Sequence, residues 1–171
     1  VHDVRALNLL FRASAGVVTR EAFDAFAQPL AAGNGYLLAL EYQRFVGRAE
    51  RPAFEAARRR FWPGFSISER SPDGRLVPAA TRALYLVNDY VVPIASNAPA
   101  FGYDVWLRPE ERAYIQRAID SGQATASPVL RLVQGDGALR GMLVTMPVYR
   151  AGAGLANVAA RRAAVLGNTA V

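Results

Sequence analysis

Three polar side chains, Asp89, Asn97 and Asp104, fall within the mostly apolar stretch 82–105, RALYLVNDYVVPIASNAPAFGYDV. Two carboxylates and an amide on or beside an apolar scaffold have the chemistry of a small-molecule pocket, in which a few polar groups orient a ligand between apolar walls. Tyr90 and Tyr103 in the same stretch add flat apolar area with a polar tip, and Met146 adds a side chain that adapts to a planar ring. Reactive chemistry is not indicated. The chain has no cysteine, which removes thiolate nucleophiles, thiolate metal sites and disulfides together. Its one histidine, His2, stands at the start of the chain, so imidazole catalysis and imidazole metal sites are not expected. Glu110 and Glu111 are neighbours, but adjacent residues on a helix point apart, and acids suit a first turn anyway. Gly152 and Gly154 lack the further glycine of a dinucleotide turn and read as a linker. No enzyme chemistry, cofactor or metal is expected in this chain.

The elements that position these groups follow from periodicity. Residues 84–93 alternate with β-branched and aromatic side chains on both faces, which predicts a covered strand. Strict alternation places Tyr85, Val87, Asp89 and Val91 on one face and Leu86, Asn88, Tyr90 and Val92 on the other. Pro93, Ser96, Asn97 and Pro99 then turn the chain, and Phe101 to Val105 re-enter extended structure. Upstream, Val4, Leu7, Phe11 and Val18 form a narrow seam on a helix over 4–18, suited to pairing with another helix of this chain or of a second copy. Thr19 caps a second helix that closes near Pro29 and Gly33. Residues 36–46 read as a buried strand, and Pro52 opens a helix whose last turn carries Arg58, Arg59 and Arg60, cations at the favoured end of the helix dipole. Residues 65–70 alternate as a strand before the turn at 71–74. Pro109 and Gly122 bracket a helix with Ile115, Ala118 and Ile119 inward. Strands over 127–133 and 139–149 join through Gln134-Gly135-Asp136-Gly137, a strong hairpin signal, and 163–171 reads as a final strand after a short helix. This order is α+β around an antiparallel sheet.

At 171 residues and 52% hydrophobic, the chain is long enough to bury a core without staples. Its net charge of +6 comes from scattered arginines, with no lysine, rather than from a basic stripe interleaved with aromatics, so nucleic acid is not the expected partner. No apolar run approaches the ~20 residues that span a bilayer. The chain opens on Val1 and stops inside an apolar run at Val171, so both ends read as boundaries within a longer protein, with membrane segments expected outside the fragment.

Five blocks in order, TREAFDAF, ALEYQRFVGRAERPAFE, YLVNDYVVPIASNAPAFGYDV, RPEERAYIQRAIDSGQATASPVLRLV and GMLVTMPVY, resemble the CHASE family over residues 19–150. Arg51-x-x-Phe54-Glu55, Pro93-x-x-x-Asn97 and Gly102-Tyr103-Asp104 carry most of the specificity. The resemblance implies an extracytoplasmic sensor domain of a membrane protein such as a histidine kinase or diguanylate cyclase. It also implies a long N-terminal stalk helix, a membrane-distal PAS-like sheet holding a small-molecule pocket, and a smaller membrane-proximal sheet. The corresponding divisions are stalk and capping helices over 1–33, a ligand-sensing region over 34–150, and a return helix and final strand of the proximal part over 151–171. The position matching the hormone-contacting threonine of the plant cytokinin receptors is Ser127, which keeps a hydroxyl. The aspartate that reads the adenine ring would fall near Pro93, where this sequence has no acid, which points away from cytokinin itself.

The expected site is therefore a pocket between the central strand and the hairpin, with Tyr90, Tyr103, Ser127 and Met146 on a flat, partly polar ligand, adenine-like or another small heteroaromatic. Asp89, Asn97 and Asp104 complete the candidate set. A homodimer through the stalk is the expected assembly. The competing reading is a dimerisation or periplasmic interaction module with a self-filled core and no ligand.

Overall fold

The computed structural model describes residues 1–134 and 138–171. Alternation at 84–92 produces β4 (Leu84–Val92), which pairs antiparallel with β1 (Leu40–Gly47). β1 pairs on its other side with the last strand, β9 (Val165–Ala170), and β9 in turn with β8 (Val144–Tyr149) and β8 with the short β5 (Thr125–Ala126). The result is one five-stranded antiparallel sheet in the order β4-β1-β9-β8-β5. Two small ribbons complete the strand inventory of the described residues: β2 (Ser68–Arg70) with β3 (Leu76–Pro78), and β6 (Leu130–Arg131) with β7 (Arg140–Gly141). The first pair follows the turn expected at 71–74, closed by Gly74 N–H donating to Ser71 O at 2.8 Å. The turn expected after Gln134 falls on residues outside the described ones.

Helices cover both faces. On one, α1 (His2–Ala13) and α2 (Arg20–Gly33) bury Leu7, Phe11, Phe23 and Ala27 against Leu40, Tyr42, Tyr90, Val92 and Val148. The other carries α5 (Pro109–Ser121), whose Tyr114, Ile115 and Ile119 pack with Leu86, Tyr103, Val105 and Leu130. α5 has Pro109 in its first turn and Gly122 in the left-handed conformation just past its end, φ 73°, as the sequence predicts. α3 (Arg51–Arg59) buries Phe54 in a cluster with Val46, Phe65, Tyr85 and Val87, and α4 (Ile94–Asn97) and α6 (Val158–Ala164) complete the helices of the described residues. The extended segment after Phe101 closes the open edge of β4: Asn88 N–H donates to Tyr103 O at 3.0 Å and Val105 N–H to Leu86 O at 2.9 Å.

Three expectations change. The seam Val4, Leu7, Phe11 is fully buried against the chain's own sheet, and α1 stops at Ala13, where Ala15 and Gly16 take positive φ. Those side chains are thus unavailable to a second copy, because the sheet offers them more apolar area than a lone helix could. Residues 165–170, assigned to a smaller second sheet, lie instead in the middle of the main one. There Gly167 is required by close approach: a Cβ would stand 2.0 Å from Gln43 O on β1. Finally, the β1–β4 register shifts between Tyr42/Tyr90 and Gln43/Asn88, which leaves Asp89 as an extra residue. The bulge breaks strict alternation, so Tyr90 faces the α1 and α2 side while Asn88 faces α5.

Candidate functional site

Between the α5 face of the sheet and the β6–β7 ribbon lies a cavity of about 60 Å³. Its apolar walls are Val105 from the segment beside β4 and Leu130, Leu132 and Leu143 from the ribbon and its flanks; Tyr103 and Tyr114 add aromatic surface. Its polar floor comes from three elements: Glu41 on β1, Asn88 on β4 and Glu111 on α5. The pairing Gln43 with Asn88 and with Asn168 sets an amide row beside this floor.

The floor is poorly satisfied. Glu41 and Glu111 are only 4% and 6% exposed. Glu41 Oε2 accepts from Gln43 Nε2 at 3.2 Å, and Glu111 Oε1 stands 3.7 Å from Arg108 Nη1. Glu111 Oε2 and Asn88 Oδ1 in the floor, and Gln43 Oε1 and both amide atoms of Asn168 beside it, have no partner among the described residues. Unpartnered polar groups in a protein interior cost about 1–3 kcal/mol each, so such a cluster marks a place where water or a ligand completes the bonding. Burial pushes both carboxyls up to about 7, against the hydrogen bond from Gln43 on Glu41 and the charge of Arg108 on Glu111. Burial likewise pushes Tyr103 up to about 12 and raises Tyr114, with the Glu111 carboxylate adding to both.

The candidates read from the sequence are distributed around this cavity rather than gathered in it. Tyr103 lines it. Asp104 stands beside it as a backbone acceptor, taking Leu86 N–H and Trp106 N–H at 3.0 Å each, with burial raising its pKa. Ser127 lies behind the lining, its Oγ donating to Pro128 O at 2.6 Å and accepting from Leu143 N–H at 2.9 Å. Asn97 closes the turn after β4, its Nδ2 donating to Leu38 O and Pro93 O at 2.9 Å each. Asp89, Tyr90 and Met146 are on the opposite side of the sheet. Asp89 is a fully buried hub for Arg44 and Arg58, at 2.6 Å each, with Arg20 at 4.0 Å. Tyr90 donates to Val18 O at 2.9 Å and packs at a tilt against Phe23 and Tyr42. Met146 lines a separate groove with Asn8 and Arg12 of α1. The shared contact set of Tyr90, Tyr103, Ser127 and Met146 is therefore not assembled; the Asp89 bulge reverses the first, and β8 presents the last toward α1 because it pairs with Thr169.

Glu41, Asn88 and Glu111 were missed as a site. Glu111 had a signal, being the one of two adjacent acids that shares a face with Ile115 and Tyr114, four and three residues on.

Replacing Ser127 with alanine leaves the part-buried Leu143 N–H without its acceptor, so urea denaturation should show a loss of about 1 kcal/mol. Unchanged stability together with weakened ligand binding would instead return Ser127 to direct contact.

No helix among the described residues is long and apolar enough to cross a membrane. The family model for the CHASE domain matches residues 16–171. None of the curated proteins matches the chain.

Proposed function

We propose, because this chain belongs to the CHASE domain family of sensory input domains, that it binds a small molecule in the cavity under α5 and passes the change in sheet geometry to α1. The observation that carries this reading is the partly open cavity whose floor holds buried polar atoms, Glu111 Oε2 and Asn88 Oδ1, with no partner among the described residues. The antiparallel sheet with its first and last strands adjacent supports a PAS-like sensor, and the cavity occupies the face such a sensor would use. α1 lies on the reverse of the sheet and is bonded to β8 and β9, the latter paired with the floor strand β1: Asn8 Nδ2 donates to Pro147 O at 2.9 Å, and Thr169 Oγ1 donates to Val4 O at 3.3 Å. A ligand that favours one arrangement of β1, β8 and β9 thereby biases the position of α1; the coupling equals its differential affinity for the two arrangements. In this reading the domain faces the extracytoplasmic side and its output is a kinase or cyclase elsewhere in the parent protein.

The cavity volume sharpens the expectation. About 60 Å³ is well below the ~150 Å³ that admits benzene in an engineered apolar cavity, so a ring-sized ligand must displace the ribbon that covers the floor. Thermal-shift screening of adenine derivatives, other heteroaromatics, amines and amino acids tests the proposal. A hit should raise the melting temperature of the native sequence and lose most of that shift in Asn88→Leu. If no compound shifts the chain and Asn88→Leu is itself stabilising, the self-filled interaction module becomes the better reading.

A further inference from the structure

Resting on the reading of this cavity as the ligand site, we propose that its ligand class is a compact organic cation with at least two N–H donors, an amidine, guanidine or protonated amine, held by Glu111 and Glu41. The two carboxyls come from different elements, α5 and β1, yet line one cavity. Ionisation fixes their polarity: Asn88 and Gln43 can reverse their amides to suit a donor or an acceptor, whereas a carboxyl that has lost its proton only accepts. Among the described residues Glu111 Oε2 is unpartnered, and the cation paired with that side chain, Arg108, sits at 3.7 Å on the other oxygen and is itself 29% exposed.

The other cations of the lining do not reverse this polarity. Arg70 directs its guanidinium at main-chain oxygens, those of Gly74 at 2.6 Å, Val133 at 3.3 Å and Leu132 at 3.5 Å. Arg131 is exposed at the rim. An anion would have to displace Arg70 from those carbonyls and approach two carboxyls, whereas a cation meets both carboxyls beside the aromatic side chains of Tyr103 and Tyr114. Burial that raises the two carboxyls to about 7 leaves a proton to be expelled when a cation arrives. The charged and titratable groups that bear on Glu111 are Glu41 from β1, Asp104 beside β4, Arg108 at the cap before α5, Glu110 on α5 itself, and the phenols of Tyr103 and Tyr114. Of these only Arg108 opposes a second positive charge.

Two isosteric series separate charge from shape: acetamidinium, acetamide and acetate, and benzamidinium, benzamide and benzoate. Binding is followed through the Asn88 side-chain amide and the Leu132 and Leu143 backbone amides in ¹⁵N spectra, with calorimetry in two buffers of different ionisation enthalpy. The cation of at least one series should bind about tenfold or more tightly than its amide, its acid should not bind, and binding should release protons near neutral pH. Glu111→Gln should reduce the cation's preference over the amide to about twofold or less without loss of the native spectrum. If that variant does not fold, Glu41→Gln serves, and proton release in the native sequence decides by itself. An amide or acid binding as well as its cation at the same resonances overturns the cation class and leaves the sensory reading standing. Silence of all six also overturns it; the sensory reading then falls only if the broader heteroaromatic screen is silent as well.

Discussion

Asp89→Ala is expected to cost about 3–5 kcal/mol of folding stability, because it removes the carboxylate shared by three partly buried guanidiniums. Arg58 reaches Asp89 through two bonds, Nε to Oδ1 at 2.8 Å and Nη2 to Oδ2 at 2.6 Å, while Arg44 Nε adds a third at 2.6 Å. Arg20 donates to the Asp89 carbonyl at 2.5 Å and lies over the rings of Phe61, Tyr90 and Phe101 at 4.3, 4.9 and 5.0 Å. The hub ties α2, α3, β1 and β4 together, so the loss should appear as a lowered urea midpoint for the whole cooperative transition. Adding Arg58→Met should recover part of it by removing one unpaired cation. A cost below about 1 kcal/mol would show that solvent screens the hub as it screens surface pairs.

The second large effect depends on pH. Glu41 and Glu111 have carboxyls pushed by burial from 4.5 to about 7. A folded pKa above the unfolded one means that the native state holds protons which the unfolded state releases between about pH 4.5 and 7. Their contribution is therefore most favourable at low pH, declines through that window and levels off above it. At about 1.4 kcal/mol per unit, one such group weakens the fold by up to about 3 kcal/mol at the alkaline end, and the two titrate as a coupled pair. Glu111→Gln has the shape of the protonated side chain. It should match the native sequence near about pH 4.5 and exceed it by about 1–3 kcal/mol near about pH 8. Urea titrations across that range provide the check, and a variant-minus-native difference that stays flat with pH would falsify the assignment of elevated carboxyls to the cavity floor.

The two effects occupy opposite faces of one strand pair. Tyr42 and Tyr90 pair on the α2 side, Gln43 and Asn88 on the α5 side, and Asp89 is the residue between them that has no opposite number. The bulge thus serves both: it aims a carboxylate at the arginines on one face and brings Asn88 under α5 on the other. Such bulges re-aim side chains next to functional sites.

Much of the molecule followed from local chemistry alone. Thr19 accepts from Ala22 N–H at 3.2 Å as a helix cap, Pro109 and Gly122 bracket α5, and the β-branched run at 84–92 is a covered strand. These are legible because capping, proline and glycine preferences and period-two patterning act over a few residues. The CHASE membership was legible too, since blocks of sequence in order do not depend on knowing which faces meet.

Which side chains share a cavity was not legible, and only the tertiary structure decided it. The insertion of one residue at Asp89 reverses Tyr90, because a period of two converts any single-residue slip into a change of face. Glu110 and Glu111 do point apart, as adjacency requires, but which of them is buried depends on the side of α5 that lies on the sheet, and that is Glu111. Glu41 on β1 and Glu111 on α5 line one cavity although 70 positions separate them, and β9 enters the centre of the sheet only because Gly167 lets it approach β1. Local preferences determined the elements; long-range pairing and the direction in which each element lay down determined the site.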